Sequence, residues 1–293
     1  MIELAIIGVR GLGLGSLYAL VAMSLNMVFR STGVVNFAQG EILILGGVFA
    51  FMTTGLGWIS KETWIAGLVA SGLLSAVLLA LQGQVTLWPM RTSRGQESWL
   101  VTTMAASIIM VAVLLKLKGP WVQSVDSVFD DMTILGVGTP AAYGALALLA
   151  LGWYAALRLF LSRTITGLAM SALAQDIDAA RAAGLNVNGL QLLSFAISGV
   201  IVGTAGFAAA PVLSVAPDTG TRYLINGFLA AVFGGMGNDS GALVAGPIVG
   251  VLGVLVAFKL GGEFQDMAML LILVAILLLR PQGLFGRPAA RRV

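Results

Sequence analysis

The run Ala242-Leu-Val-Ala-Gly-Pro-Ile-Val-Gly-Val-Leu-Gly-Val-Leu-Val-Ala-Phe258 has no charged side chain and is bounded by Asp239 and Lys259. It approaches the roughly 20 apolar residues that a helix needs to cross a hydrocarbon core about 30 Å thick. Similar runs recur along the chain, which is 58% hydrophobic and 10% charged, with a mean hydropathy of +0.98. Because soluble domains carry about 25% charged residues, we exclude a soluble domain. The sequence predicts an all-α, polytopic, integral membrane helical bundle.

Nine apolar segments are predicted along the 293 residues. They are roughly 2–29, 34–54, 63–87, 98–115, 139–161, 190–210, 223–235, 242–258 and 264–279. The segment 223–235 is short for a full crossing and is interpreted as a half-span. We therefore expect eight or nine membrane segments. No long linker interrupts them, so residues 1–293 are predicted to form a single transmembrane domain.

Basic residues divide unequally between the two sets of loops. One set holds Arg30, Arg91, Arg94, Arg158, Arg163, Arg181, Arg280, Arg287, Arg291 and Arg292. The other set holds Arg10, Lys61, Lys116, Lys118, Arg222 and Lys259. Because an excess of Lys and Arg marks the cytoplasmic side, we expect the C-terminus and a loop at about 162–189 to be cytoplasmic. The side of the N-terminus depends on the number of spans and stays open.

Missing residue types exclude several chemistries. The chain has no Cys and no His, so it lacks thiolate nucleophiles and the commonest general base and metal ligand. No phosphate-binding loop of the form GxxxxGK[ST] occurs. We therefore predict no catalytic residues, no metal site and no cofactor in this chain. An ion-coupled pump would show more intramembrane acidic residues, since a proton relay would depend on Glu41 almost alone.

Polar residues open the second apolar segment. Asn36, Gln39 and Glu41 lie in the stretch that follows Arg30, and an ionisable residue at membrane depth is costly unless it faces protein or water. These three residues are predicted to line a translocation path. The alternative is local, because Asn36 and Gln39 have the spacing of a helix-capping pair. The two interpretations can coexist.

A second polar break interrupts the C-terminal half. The stretch FGGMGNDSGA (233–242) contains Asn238, Asp239 and Ser240. Corresponding interrupted segments in two halves of a chain indicate a transport pathway, so these three residues are also assigned to the path. The alternative is an ordinary cytoplasmic turn in which Asp239 or Ser240 caps the next helix.

A short amphipathic helix is predicted within residues 166–184. Its apolar stripe is formed at helical spacing by Met170, Leu173, Ile177 and Ala180. Asp178 and Arg181 lie on other faces. The stripe must pack against lipid headgroups, the protein's own bundle or a partner protein.

Small residues recur four positions apart in three places, a pattern that lets membrane helices approach closely. The pairs are Gly11 with Gly15, Gly199 with Gly203, and Gly246 with Gly250. We expect them to pack helices within the chain rather than to form a dimer interface.

Together, five stretches resemble the permeases of branched-chain amino acid ABC importers, and the shorter of the two permeases in particular. They are GLGSLYAL (13–20), GVVNFAQGE (33–41), AQDIDAARAAGLN (174–186), AVFGGMGN (231–238) and RPQGLFG (280–286). The chain departs from the family pattern at three positions. Gln39 stands where His is usual, Ser171 where a basic residue is common, and Gly253 near a common acidic residue.

The resemblance implies partners and a function. The chain would pair with a second homologous permease, two cytoplasmic ATP-binding subunits that carry ATP and Mg²⁺, and an extracytoplasmic solute-binding protein. The segment with Met170 and Arg181 would be the coupling helix that docks into an ATPase. The solute would be a branched-chain, hydrophobic amino acid imported across the bacterial inner membrane. Urea or a short amide in the same permease family, and a stand-alone carrier or channel, are the alternatives.

Overall fold

The computed structural model describes residues 2–92, 98–134, 136–280, 283 and 285. Arg94, Arg287, Arg291 and Arg292 lie outside the described residues, as do most positions of the stretch 280–286. The described helices are α1 Ile2–Thr32, α2 Gln39–Gly55, α3 Trp64–Thr92, α4 Ser98–Lys118, α5 Ala141–Arg163, α6 Ile165–Leu173, α7 Ile177–Ala182, α8 Val187–Ala209, α9 Gly220–Gly234, α10 Asp239–Leu260 and α11 Gln265–Leu279. A 3₁₀ turn, Gly262–Phe264, precedes α11.

Each of the nine predicted apolar segments corresponds to one helix. Within the described chain, seven of these helices are long and apolar enough to cross a membrane. The other two are α2, with 17 residues, and α9, with 15. The protein is therefore a multi-pass, helical membrane protein, as predicted. A two-stranded antiparallel hairpin, β1 Met132–Ile134 and β2 Val137–Thr139, lies in the connection between α4 and α5.

Two helices form the centre of the bundle. Helix α1 packs against α5, α8, α9 and α10, and α8 also packs against α2 and α3. Helices α4 and α11 lie at the periphery and are apolar on faces that the bundle does not cover. Such faces are what lipid tails solvate.

Glycines bring α1 and α10 into direct backbone contact. A Cβ atom on Gly15 would lie 2.4 Å from the Cα of Pro247, and one on Gly250 would lie 2.2 Å from the carbonyl oxygen of Gly11. Helices α8 and α3 meet in the same way, since a Cβ on Gly199 would lie 2.5 Å from the carbonyl oxygen of Ser75. The prediction that the glycine pairs pack helices within the chain is confirmed.

One end of the bundle collects arginines. Arg30 at the end of α1 and Arg158 near the end of α5 line the same groove, and we call this the arginine-rich end. At the opposite end, Lys61 pairs with Asp130 at 2.8 Å. The Lys61 ammonium holds the pKa of the exposed Asp130 carboxyl below its usual range.

Candidate functional site

The two short helices, α2 and α9, begin inside the bundle, each after a non-helical connection at which the chain changes direction. Helix α2 follows a break at residues 33–38 after α1, and α9 follows a break at residues 210–219 after α8. Their N-termini touch, because a Cβ atom on Gly40 would lie 2.2 Å from the carbonyl oxygen of Gly220. Glycine at these positions allows the two backbones to approach. We call this contact the α2–α9 junction.

The junction lies inside the bundle, along the length of α1 rather than at its end. Gln39 donates from Nε2 to Oγ of Ser24 at 2.9 Å, and a Cβ on Gly227 would lie 2.3 Å from a side-chain carbon of Val21. At 1.5 Å per residue, Ser24 and Val21 lie about 12–17 Å from the end of α1 at Thr32. From the junction, α9 continues toward the arginine-rich end and α2 toward the opposite end. Near the end of α2, the ring centroid of Phe51 lies 4.7 Å from the Nζ atom of Lys118.

The start of α2 contacts a different connection from the one with which the sequence interpretation paired it. That interpretation matched the break before α2 with residues 233–242, which the structure places at the arginine-rich end. The structural counterpart is the connection 210–219, because it is α9 that begins against α2. The glycine content of FGGMGNDSGA suggested a chain break there, whereas the connection that precedes α9 has no glycine and so gave no such signal.

Asn36 and Gln39 belong to a buried polar network. Asn36 donates from Nδ2 to Oε1 of Gln82 at 2.9 Å, and Gln82 returns a bond from Nε2 to Oδ1 of Asn36 at 3.1 Å. Gln39, fully buried, donates to Ser24. The Asn36 side chain also accepts from the backbone N–H of Ala38 at 3.1 Å, and α2 begins after it, at Gln39. Asn36 and Gln39 are joined by a side-chain bond, from Nδ2 to Oε1 at 3.3 Å, but Asn36 lies in a turn before the helix and does not cap it.

Glu41 is the buried acidic group of the junction, and the exposed Asp218, two residues before α9, lies within electrostatic range of it. The Glu41 side chain is buried, at 1% exposure. Ser107 of α4 donates to its Oε1 at 3.2 Å, and Thr221 of α9 donates to the same oxygen at 3.4 Å. Its Oε2 has no hydrogen-bond partner among the described residues. The structure thus adds Ser107 and Thr221 to the site, two residues that the sequence analysis missed.

Asn238 and Asp239 lie at the arginine-rich end, away from Glu41. Arg30 forms an ion pair with Asp239 at 2.9 Å and donates to the carbonyl oxygen of Gly237 at 2.7 Å. Asn238 caps α10, because its Oδ1 accepts from the N–H of Gly241 at 3.2 Å. The prediction that Asp239 or Ser240 caps this helix is wrong, since Asp239 is engaged by Arg30 instead.

Ser240 opens onto a groove of about 750 Å³ at the same end. Its hydroxyl lies 3.0 Å from that of Tyr154. Ser171 and Gln175 contribute to the other wall of the groove. The six residues assigned to the path therefore form two groups, one at the α2–α9 junction and one around this groove.

The predicted amphipathic helix is two helices. Helix α6 ends at Leu173 and α7 begins at Ile177, because Oδ1 of Asp176 caps α7 by accepting from the N–H groups of Asp178 at 2.9 Å and Ala179 at 3.0 Å. A single helix through residues 170–181 was therefore wrong. The apolar periodicity continues across the break, and this is why the sequence did not reveal it.

The apolar stripe packs on the chain itself. Met170, Leu173 and Ala180 are buried, and Leu173 and Ala180 form a small cluster with Val187 at the start of α8. Ile177 is half-buried beside them. Asp178 and Arg181 form an exposed ion pair at 3.3 Å. Of the three surfaces that the sequence left open for this stripe, the structure selects its own bundle.

A different apolar face of α6 is open. Ile165 is 89% exposed and Leu168 is 54% exposed. A single residue, Thr164, separates α6 from α5; its hydroxyl accepts from the N–H of Gly167 at 2.9 Å and donates to the carbonyl oxygen of Phe160 at 2.7 Å. The exposed face is thus attached to α5 through a compact corner.

Comparison with known proteins identifies relatives of this chain. A family model described as the branched-chain amino acid transport system permease component matches residues 7–279. The permease protein LivH of the high-affinity branched-chain amino acid transport system of Escherichia coli K12 is 29% identical over 97% of this chain and 96% of its own length. The corresponding BraD protein of Pseudomonas aeruginosa is 27% identical over the same shares of both chains.

A solved structure has the same general fold. PsaBC from Streptococcus pneumoniae, in complex with Fab, aligns with a TM-score of 0.50 and 12% identity over 93% of this chain and 91% of its own. At that identity the similarity concerns the fold alone. The family match extends from α1 to the last residue of α11 and includes the α2–α9 junction, so the chain belongs to the family of permease components of branched-chain amino acid transport systems.

Proposed function

We propose that this chain is a permease subunit of an ATP-driven importer that moves branched-chain, hydrophobic amino acids across a bacterial inner membrane. The observation that carries the proposal is the correspondence over nearly the full chain with curated permeases named for that transport system. Those names favour branched-chain amino acids over urea or a short amide.

The proposed assembly contains a second homologous permease, two ATP-binding subunits and an extracytoplasmic solute-binding protein. The arginine-rich end and the C-terminus would face the cytoplasm, in keeping with the distribution of basic residues. Ile165 and Leu168 would then be available to an ATP-binding subunit that supplies ATP and Mg²⁺. ATP hydrolysis belongs to those subunits, and this chain contributes transport.

The proposed path joins the two groups of polar residues. Asn36, Gln39 and Glu41 would lie beside it at membrane depth, and Asn238, Asp239 and Ser240 would lie at its cytoplasmic mouth. ATP binding would move α6, and the corner at Thr164 would pass that movement to α5. Because the ATP-bound subunits favour one arrangement of the helices over the other, their binding shifts the population between the two.

A pull-down and an uptake assay test the proposal. Tagged chain, expressed in its native host and purified in mild detergent, should bring down an ATP-binding subunit. Leu168→Asp should reduce that recovery by about tenfold or more, because it places a charge in a desolvated contact. Leu117→Asp is the matched control, since Leu117 is 73% exposed near the end of α4 that lies away from the arginine-rich end.

Reconstituted vesicles complete the test. Vesicles that hold the complex and receive binding protein should accumulate leucine only with ATP. A chain that purifies alone under several mild conditions, or that transports leucine without ATP, would contradict the proposal and favour a stand-alone carrier or channel.

A further inference from the structure

The α2–α9 junction contains a buried acid without a cation. Glu41 is 1% exposed, and none of the ion pairs among the described residues includes it. Buried charges in proteins are normally paired, because an isolated charge loses its hydration without compensation. Within the described part of the chain, two hydroxyl donors, Ser107 and Thr221, are the hydrogen-bond partners of this carboxylate. Such a group is stabilised either by a proton of its own or by a positive charge from a ligand, and the second case is the one that the following observations concern.

The two carboxylate oxygens have different surroundings. Oε1 accepts both hydroxyl bonds, which fix the orientation of the group between α4 and α9. Oε2 is free of any partner among the described residues, and it faces the first residue of α9, since a Cβ atom on Gly220 would lie 2.5 Å from it. One oxygen thus positions the side chain and the other is left for a ligand.

The helices that meet at this point begin without a capping side chain. Neither Ala38, before α2, nor Thr219, before α9, provides a capping hydrogen bond from its side chain. Asn186 caps α8 and Asn238 caps α10, whereas α5 and α11 also begin without a capping side-chain bond. Uncapped first-turn N–H groups and the positive end of a helix dipole favour a carboxylate. In this arrangement the Glu41 carboxylate itself lies against the first residue of α9, so a second anion could bind beside it only after α2 and α9 separate.

These features fit one chemical group. We propose that the α2–α9 junction recognises the zwitterionic head group of the transported amino acid, with Oε2 of Glu41 binding its ammonium group and the first-turn N–H groups of α9 binding its carboxylate. The inference rests on the proposed function and names the site within it. In this arrangement Gly40 and Gly220 are in contact, so the site is closed, and the head group enters when α2 and α9 separate.

A pair of variants separates recognition from a structural role. Glu41→Gln keeps an oxygen that accepts the hydroxyl bonds but removes the charge. Glu41→Asp keeps the charge but draws the carboxylate back from Ser107 and Thr221. Each is reconstituted with the partner subunits and binding protein, and ATP-dependent leucine uptake is measured. Glu62→Gln, at an exposed glutamate, is the control, and basal ATP hydrolysis confirms that each complex has assembled.

We expect Glu41→Gln to reduce uptake by about tenfold or more, the loss that one charge-assisted contact produces. Glu41→Asp should keep a larger share of the activity than Glu41→Gln. Uptake by Glu41→Gln at the wild-type rate, or equal losses in the two variants, would overturn the head-group site.

Two further outcomes identify what the site binds and separate it from the proposed function. Replacing sodium with N-methylglucamine should leave uptake unchanged, and a requirement for sodium would mean that Glu41 binds an inorganic cation, which also overturns the proposal. A wild-type complex that transports no amino acid would refute the proposed function together with the site. A wild-type complex that transports leucine, with Glu41→Gln transporting it equally well, would refute the site alone.

Discussion

Substitution of Gly15 by Ala tests the packing on which the bundle is built. The added Cβ atom would lie 2.4 Å from the Cα of Pro247 and 2.6 Å from the carbonyl oxygen of Gly246. Both are backbone atoms of α10, which cannot rotate away as a side chain can. Because ordinary contact begins at 3.4 Å, α1 and α10 must separate locally by about 1 Å.

Neighbouring contacts between α1 and α10 share that separation, and they determine how much unfolding free energy is lost. Gly11 approaches Val251 and Gly250 approaches the carbonyl oxygen of Gly11 along the same seam, so these contacts loosen together. Overpacking of a close-packed core costs about 1–3 kcal/mol. The continuous backbone contact between α1 and α10 places Gly15→Ala near the upper end, about 2–3 kcal/mol of unfolding free energy.

Gly8→Ala provides the matched control. Gly8 lies in the same helix, and a Cβ atom there would have nothing within 4 Å. Alanine favours a helix over glycine by up to about 1 kcal/mol, so Gly8→Ala should keep or raise the stability. Thermal unfolding followed by tryptophan fluorescence in detergent compares the variants. If Gly15→Ala unfolds at the temperature of Gly8→Ala or above it, the direct packing of α1 on α10 is refuted.

Two other predictions concern buried polar contacts. Arg30→Gln should lower the unfolding free energy by about 1–3 kcal/mol, because it removes the partner of Asp239, whose side chain is 11% exposed beside the groove. Adding Asp239→Asn should restore part of the loss, and a double variant no more stable than Arg30→Gln would contradict this. For Asn36 and Gln82, a double-mutant cycle of alanine variants measured by thermal unfolding should give a coupling of about 1 kcal/mol, and additive effects would show that their hydrogen bonds are not made.

The helices were predictable because the membrane imposes their length and composition. Each apolar run is bounded by charges or turn residues, and the corresponding helix begins or ends within a few positions. The start of α9 was placed three residues late, at 223 rather than at Gly220, because Arg222 was taken as an end signal. In the structure Arg222 is inside the helix, where it pairs with Asp266 of α11 at 2.7 Å.

The candidate site was only half predictable. The cost of burying a carboxylate singled out Glu41, but its two hydroxyl donors are 66 and 180 residues away in the sequence. Nothing local marks Ser107 or Thr221 among the other hydroxyl residues of the chain. Similarly, helical periodicity identified the apolar stripe of α6 and α7, but periodicity does not specify which surface covers a stripe.

The corner at Thr164 has a mechanical consequence. Helix α5 ends at Arg163 and α6 begins at Ile165, and a Cβ atom on Gly167 would lie 2.0 Å from the carbonyl oxygen of Phe160, so α6 is pressed against the end of α5. A flexible connection between two helices would bend under a small displacement, whereas this connection is one residue long and closely packed, so it allows little bending. In the proposed importer, a movement that an ATP-binding subunit imposed on α6 would therefore pass to α5 with little loss.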